Sequence, residues 1–150
     1  MFNRTDLQKI NFDDFHLRCY RGLYCTIYYP YAFDVPDSEE CIRISRAPKL
    51  ANDSGLKFWL AAELQDDWSN RERYFKPYVF GSDFKALTEN EFNNMVLNQC
   101  RALITKPNLP LNNGKFVGAL AMSTMEREFI VDLFAEYEDE FLHFIWETTA

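Results

Sequence analysis

The stretch EREFIVDLFAEYEDEFLHFIWE, residues 126–147, decides how the rest of the chain is read. Turned at about 100° per residue, its Ile130, Leu133, Phe134, Tyr137, Phe141, Phe144 and Ile145 fall within an arc of about 120°, the width of a core-facing stripe. Ser123-Thr-Met-Glu126 has the spacing of a capping box just ahead of it. The periodicity therefore predicts one long final helix.

That stretch holds eight carboxylates against the single basic Arg127, which accounts for the whole net charge of −7, so the remainder of the chain is balanced. On a helix, Glu128, Asp132, Glu136, Asp139, Glu140 and Glu147 gather opposite the apolar stripe with His143 in their midst. The face would be about 35 Å long. Glu128, Asp132, Glu136 and Glu140 become successive i,i+4 like-charge neighbours, and the acids near the C-terminal end oppose the macrodipole. The helix predicted from Thr88 keeps both rules. Rules broken locally suggest a functional compromise, so these seven residues are read as a partner-binding face. A solvated face and a self-association face are the competing readings.

Working outward, the 150 residues are 47 % hydrophobic and 17 % aromatic, enough to bury one core without splitting, so residues 1–150 are read as one globular domain. The N-terminus lacks an apolar leader, and no run approaches the roughly 18 residues of a membrane span, which points to the cytoplasm. Cys19, Cys25, Cys41 and Cys100 show no CxxC pair. They are read as reduced and mostly buried, with Cys19 and Cys25 on opposite faces if Arg21-Gly22 is a hairpin turn.

Thr5-Asp-Leu-Gln8 reads as a capping box for a short helix through about Phe12, with Leu7 and Ile10 inward. Phe15–Tyr20 and Leu23–Tyr29 read as strands, Pro30–Glu40 as a loop, and Cys41–Arg46 as a strand with Ile42 and Ile44 inward. Leu56–Leu64 fits both a helical stripe and a strand. It is assigned to strand because Asp66–Asn70 resembles a connection into a second extended run, Arg73–Phe80. Thr88-Glu-Asn-Glu91 opens a helix carrying Phe92, Met95, Val96, Leu103 and Ile104 on one side, stopped by Pro107. Lys115–Met122 reads as a buried strand. The fold expected is α+β, a mainly antiparallel sheet from the first half with two helices from the C-terminal half packed on one face.

Catalytic chemistry is thin in these patterns. There is no GxGxxG, P-loop, GxSxG or HExxH, and neither catalytic residues, a cofactor nor a metal site is assigned. His16 and His143 are read as structural. Glu140-Phe-Leu-His143 has the Glu-x-x-His spacing of carboxylate-bridged metal sites, but no second such motif accompanies it. Asp13-Asp14 and Asp66-Asp67 are read as solvated caps. Arg18, Tyr20, Arg21, Tyr29, Arg43 and Arg46 interleave stacking and phosphate-binding groups, yet the negative charge opposes direct nucleic acid binding.

The function expected is that of a non-enzymatic interaction protein, an inhibitor of the counter-defence or immunity type. Its acidic helix would mimic nucleic acid on a basic protein surface, such as that of a nucleic-acid-handling enzyme. An enzyme or small-molecule-binding domain with an aromatic-lined pocket is the alternative. A self-assembling subunit, its acidic helix docked on an Arg18/Arg43 sheet face of another copy, is the second alternative.

Overall fold

From Ile130 to Glu147 the stretch that reads as a helix is a β-hairpin. The computed structural model describes residues 1–11, 20–65, 72–123 and 129–149. In it strands β5 (Ile130–Tyr137) and β6 (Glu140–Glu147) are joined across Glu138 and Asp139. They lie in the middle of a six-stranded antiparallel sheet of order β1-β2-β6-β5-β4-β3, completed by β1 (Tyr24–Tyr28), β2 (Cys41–Pro48), β3 (Phe84–Leu87) and β4 (Phe116–Met122).

The sheet is covered on both faces. Helix α4 (Glu89–Cys100) packs Phe92, Val96 and Cys100 against Ile42, Ile44, Leu133, Leu142 and Phe144 on one side. On the other, α1 (Arg4–Gln8), α2 (Leu56–Glu63) and α3 (Glu72–Phe80) bring Leu7, Phe58, Trp59, Leu60, Phe75 and Val79 onto Phe134, Phe141, Leu120 and Ala47. Alternation along a strand then assigns each side chain to a face. Val131, Leu133, Ala135 and Tyr137 meet α4, and the intervening Asp132, Phe134 and Glu136 look toward α2 and α3.

The α+β class stands, and the arrangement expected within it does not. Residues 130–137 and 140–147 are strands and not a final helix, α4 has one face of the sheet and the other described helices the opposite face, and four of the six described strands come from the second half of the chain. A sheet packed on both sides is apolar at nearly every strand position. In residues 130–146 that density also satisfies a 3.6-residue period.

Two further segments differ from expectation for the same kind of reason. Residues 56–63 form α2, whose Phe58–Glu63 are all buried, so the helix has no polar side there to reveal its period. Residues 73–80 lie in α3 despite their Tyr, Phe and Val content, because Phe75 and Val79 at i,i+4 spacing, with Tyr78 between, make an inward face. The first cap sits two residues earlier than expected, with Asn3 and Asp6 forming the box, and Leu7 and Ile10 are buried as expected. The Thr88–Glu91 box is present, but α4 ends at Cys100, well before Pro107, and leaves Ile104 exposed. Strand β2 and strand β4 follow the sequence reading closely.

Gly55 fixes the entry into α2. Its φ of +88° is open to glycine, and a Cβ there would lie 2.4 Å from the Phe134 ring and 3.3 Å from Phe141. The close approach seats α2 directly on the β5–β6 hairpin, which carries the last turn of that helix over the middle of the sheet. The first strand expected, Phe15–Tyr20, lies outside the described residues apart from Tyr20, as do Cys19, His16, Asp13-Asp14 and Asp66-Asp67. Cys25 and Cys100 are free thiols, and Cys25 and Cys41 are half-buried while Cys100 is fully buried.

Candidate functional site: a buried carboxylate–histidine cluster

Three of the seven residues expected on an acidic surface are inside the protein. Asp132, Glu136 and His143 are 3 %, 6 % and 1 % exposed. Glu140 and Glu147 are half-buried, Asp139 is exposed at the hairpin turn, and Glu128 lies outside the described residues. Asp132, Glu136 and His143 share the α2/α3 face of the sheet, whereas Glu140 faces α4 and bonds Arg46 at 2.8 Å. The seven therefore form no continuous acidic face among the described residues. The Glu140–His143 pair is likewise split across the sheet, so that spacing is not a ligand pair. Arg43, expected on an open sheet face, is 5 % exposed.

What the fold brings together is Glu63, Asp132, His143 and Tyr78. Glu63 comes from the last turn of α2, Asp132 from β5, His143 from β6 and Tyr78 from α3. Phe134 is the direct cross-strand partner of His143 and Ile145 that of Asp132, so the imidazole and the Asp132 carboxylate are diagonal neighbours on one face. His143 Nε2 stands 2.9 Å from Glu63 Oε1 and 3.0 Å from Asp132 Oδ1. The Tyr78 hydroxyl holds the other oxygen of each carboxylate, Glu63 Oε2 at 3.1 Å and Asp132 Oδ2 at 3.3 Å. Trp59 stacks on Tyr78 with ring centres 6.5 Å apart and planes 7° from parallel, which walls the cluster with an aromatic face.

Electrostatics divide the protons among these groups. Burial, followed by the Asp132 charge, pushes the Glu63 carboxyl up to about 8, so it holds a proton at neutral pH. Burial acts against the charged form of His143, but the Asp132 and Glu63 carboxylates outweigh it and raise the imidazole to about 10. Burial would likewise raise Asp132, yet the His143 charge and the bonds from Glu63, His143 and Tyr78 hold it below the usual carboxylate range. Burial, followed by the two carboxylates, lifts the Tyr78 phenol well above its ordinary value. The cluster at neutral pH is thus one carboxylate, one carboxylic acid, one imidazolium and one phenol.

Glu63, Asp132 and His143 each offer one ligand atom within 4.8 Å of the others. For metal–ligand bonds of about 2.1 Å, adjacent ligands of an octahedral ion lie about 3.0 Å apart, which is the spacing seen here from Nε2 to both carboxylate oxygens. Tyr78, bonded to the outward oxygens, has the place of a group that orients such ligands. The remaining imidazole nitrogen, His143 Nδ1, is buried without a hydrogen-bond partner.

No protein-family model, curated protein or solved structure matches this chain. Sequence reasoning singled out Asp132 and His143 for the wrong face and missed Glu63 and Tyr78, because four residues from four elements leave no spacing signal. No helix among the described residues is long and apolar enough to cross a membrane.

Proposed function

We propose that this chain is a divalent-cation-binding domain of the enzyme or small-ligand-binding class, with His143 Nε2, Glu63 Oε1 and Asp132 Oδ1 as ligands and Tyr78 as their orienting partner. One observation carries the reading: a single imidazole nitrogen lies within 3.0 Å of two carboxylate oxygens from separate elements, while a phenol holds both of the opposite oxygens. One N–H cannot bond two acceptors fully, but one cation can bind all three atoms at that spacing. Imidazole with carboxylates suits Mn²⁺, Fe²⁺ or Zn²⁺ better than Ca²⁺ or Mg²⁺, which take oxygen ligands. Three protein ligands leave positions for water or a substrate oxygen, the arrangement in which a cation acts as a Lewis acid. Among the described residues the seven positions form no continuous acidic face, so the geometry there favours the cation reading over the acidic-inhibitor reading.

Titration of metal-stripped protein with Mn²⁺, Fe²⁺ and Zn²⁺ tests this. Calorimetry should give one saturable equivalent for at least one ion, lost in His143→Ala and Asp132→Asn. Surface acids bind cations weakly and without His143. Binding that is absent, or equal in wild type and His143→Ala, would end the proposal.

A further inference from the structure

We infer that Arg43 anchors an oxyanion-binding site on the α2/α3 face of the sheet, one that takes the carboxylate or phosphate group of a small anionic ligand. Arg43 is 5 % exposed, and its Nε, Nη1 and Nη2 are all buried without a hydrogen-bond partner. A guanidinium stays charged and presents five N–H donors in a planar fork. Burying that charge unpaired is among the largest penalties a fold can carry. Groups of this kind are retained where something completes them.

The register says what surrounds it. Arg43 pairs with Ile27 on β1 and with Ile145 on β6, and these antiparallel partners share its face. Its direct lateral neighbours are therefore two isoleucines, and the carboxylate of Glu147, diagonal to it across β6, makes no hydrogen bond to the guanidinium. Beyond Ile145 in the same row is Asp132, two strands away at about 10 Å along the hydrogen-bonding direction, with its carboxylate already engaged by His143 and Tyr78. Among the described residues none bonds the guanidinium, which leaves its donors for the oxygens of a ligand. The fork geometry of the guanidinium matches two oxygens of one carboxylate or phosphate.

The inference stands on Arg43 and not on the cation reading, so each can fail alone. If both hold, they place an anionic group and a cation within one row of the sheet, as expected for a ligand that carries an oxyanion.

The test uses metal-stripped full-length protein, in which no cation can recruit the anion. Calorimetric titrations with inorganic phosphate and with acetate are compared with chloride at matched ionic strength, for wild type and Arg43→Met. Wild type should bind phosphate or acetate saturably at one equivalent, and whichever binds names the ligand group. Arg43→Met should bind it at least about thirtyfold more weakly. Without ligand, the variant should be as stable as wild type or more so, since replacing an unpaired buried charge by an apolar chain of similar length removes a penalty. No saturable binding by wild type would overturn the inference, and that measurement does not depend on the variant folding. Equal binding by the variant would overturn it as well. So would a ligand-free variant whose folding constant falls more than tenfold, because the guanidinium would then already be paired within the chain.

Discussion

The Tyr78 hydroxyl and the His143 imidazole stand at opposite ends of the same two carboxylates. Tyr78 bonds Glu63 Oε2 and Asp132 Oδ2, and His143 bonds Glu63 Oε1 and Asp132 Oδ1. Each carboxylate is therefore fixed in rotation by two groups from different elements. Fixed carboxylates can serve as preorganised ligands or as a rigid buried network, and the two roles separate when one end is removed.

Tyr78→Phe removes the hydroxyl and keeps the ring stacked on Trp59. The loss of hydrogen bonds to a charged group should lower stability by about 1.5–3 kcal/mol. Cation affinity should fall by about 10- to 100-fold, because the ligands lose their orienting partner. Competitive metal titration alongside urea denaturation measures both. An unchanged affinity with reduced stability would make Tyr78 a structural residue only.

In the metal-free protein the same cluster sets a pH dependence. The His143 imidazole is raised from 6.5 to about 10, so its stabilising contribution is complete below about pH 6.5 and is lost as pH rises toward 10. Glu63 is raised from 4.5 to about 8, so it also favours folding less as pH climbs from 4.5 toward 8. Asp132 is held low, and its contribution is lost only as pH falls below the ordinary carboxylate range. Stability should peak in mildly acid solution and decline through the alkaline range. Denaturation midpoints between pH 5 and 9, with the imidazole ¹³C shifts of His143, test this. An imidazole found neutral at pH 8 contradicts the charge assignment.

Gly55 supplies a prediction independent of function. An alanine Cβ at φ +88° would be strained and would overlap the Phe134 ring at 2.4 Å. Gly55→Ala should cost at least about 2 kcal/mol, from the backbone and from overpacking together. A thermal midpoint equal to wild type would show that α2 can move off the hairpin without penalty.

How much of this was legible depends on whether polar residues mark an element's period. Strand β2 alternates apolar with polar residues although Arg43 and Ser45 are buried as well, and α4 has a capping box with an apolar stripe, so both could be read from sequence. Strands β5 and β6 are buried on both sides, and α2 is buried over most of its length, so no polar face marked their period. One signal was available. Glu138-Asp139 divides two runs of eight residues rich in β-branched and aromatic side chains, which is strand length with a turn between, not helix length. Reading that turn would have put Asp132 and His143 on one face of a hairpin. Glu63 and Tyr78 would still have been invisible, since only tertiary packing brings α2 and α3 over that face.

The sharpest contrast between the two readings of residues 126–147 lies in two aspartates seven positions apart. On an acidic helix Asp132 and Asp139 would be equivalent surface groups, and converting either to Asn would leave the fold intact. In the hairpin Asp139 is exposed and its side chain takes a 3.2 Å bond from Asn112, so Asp139→Asn should change stability by no more than about 0.5 kcal/mol. Asp132 is the one ionised carboxylate beside a buried imidazolium. Asp132→Asn leaves that cation without its counter-charge and should cost about 3–5 kcal/mol at neutral pH. Raising the pH should narrow the gap between the variant and wild type, because a neutral imidazole no longer needs the charge. Urea denaturation of the two single variants at pH 7 and pH 9 measures all of this. Equal, small effects at both positions would mean that Asp132 is not buried, and the hairpin and the cation site would fall with it.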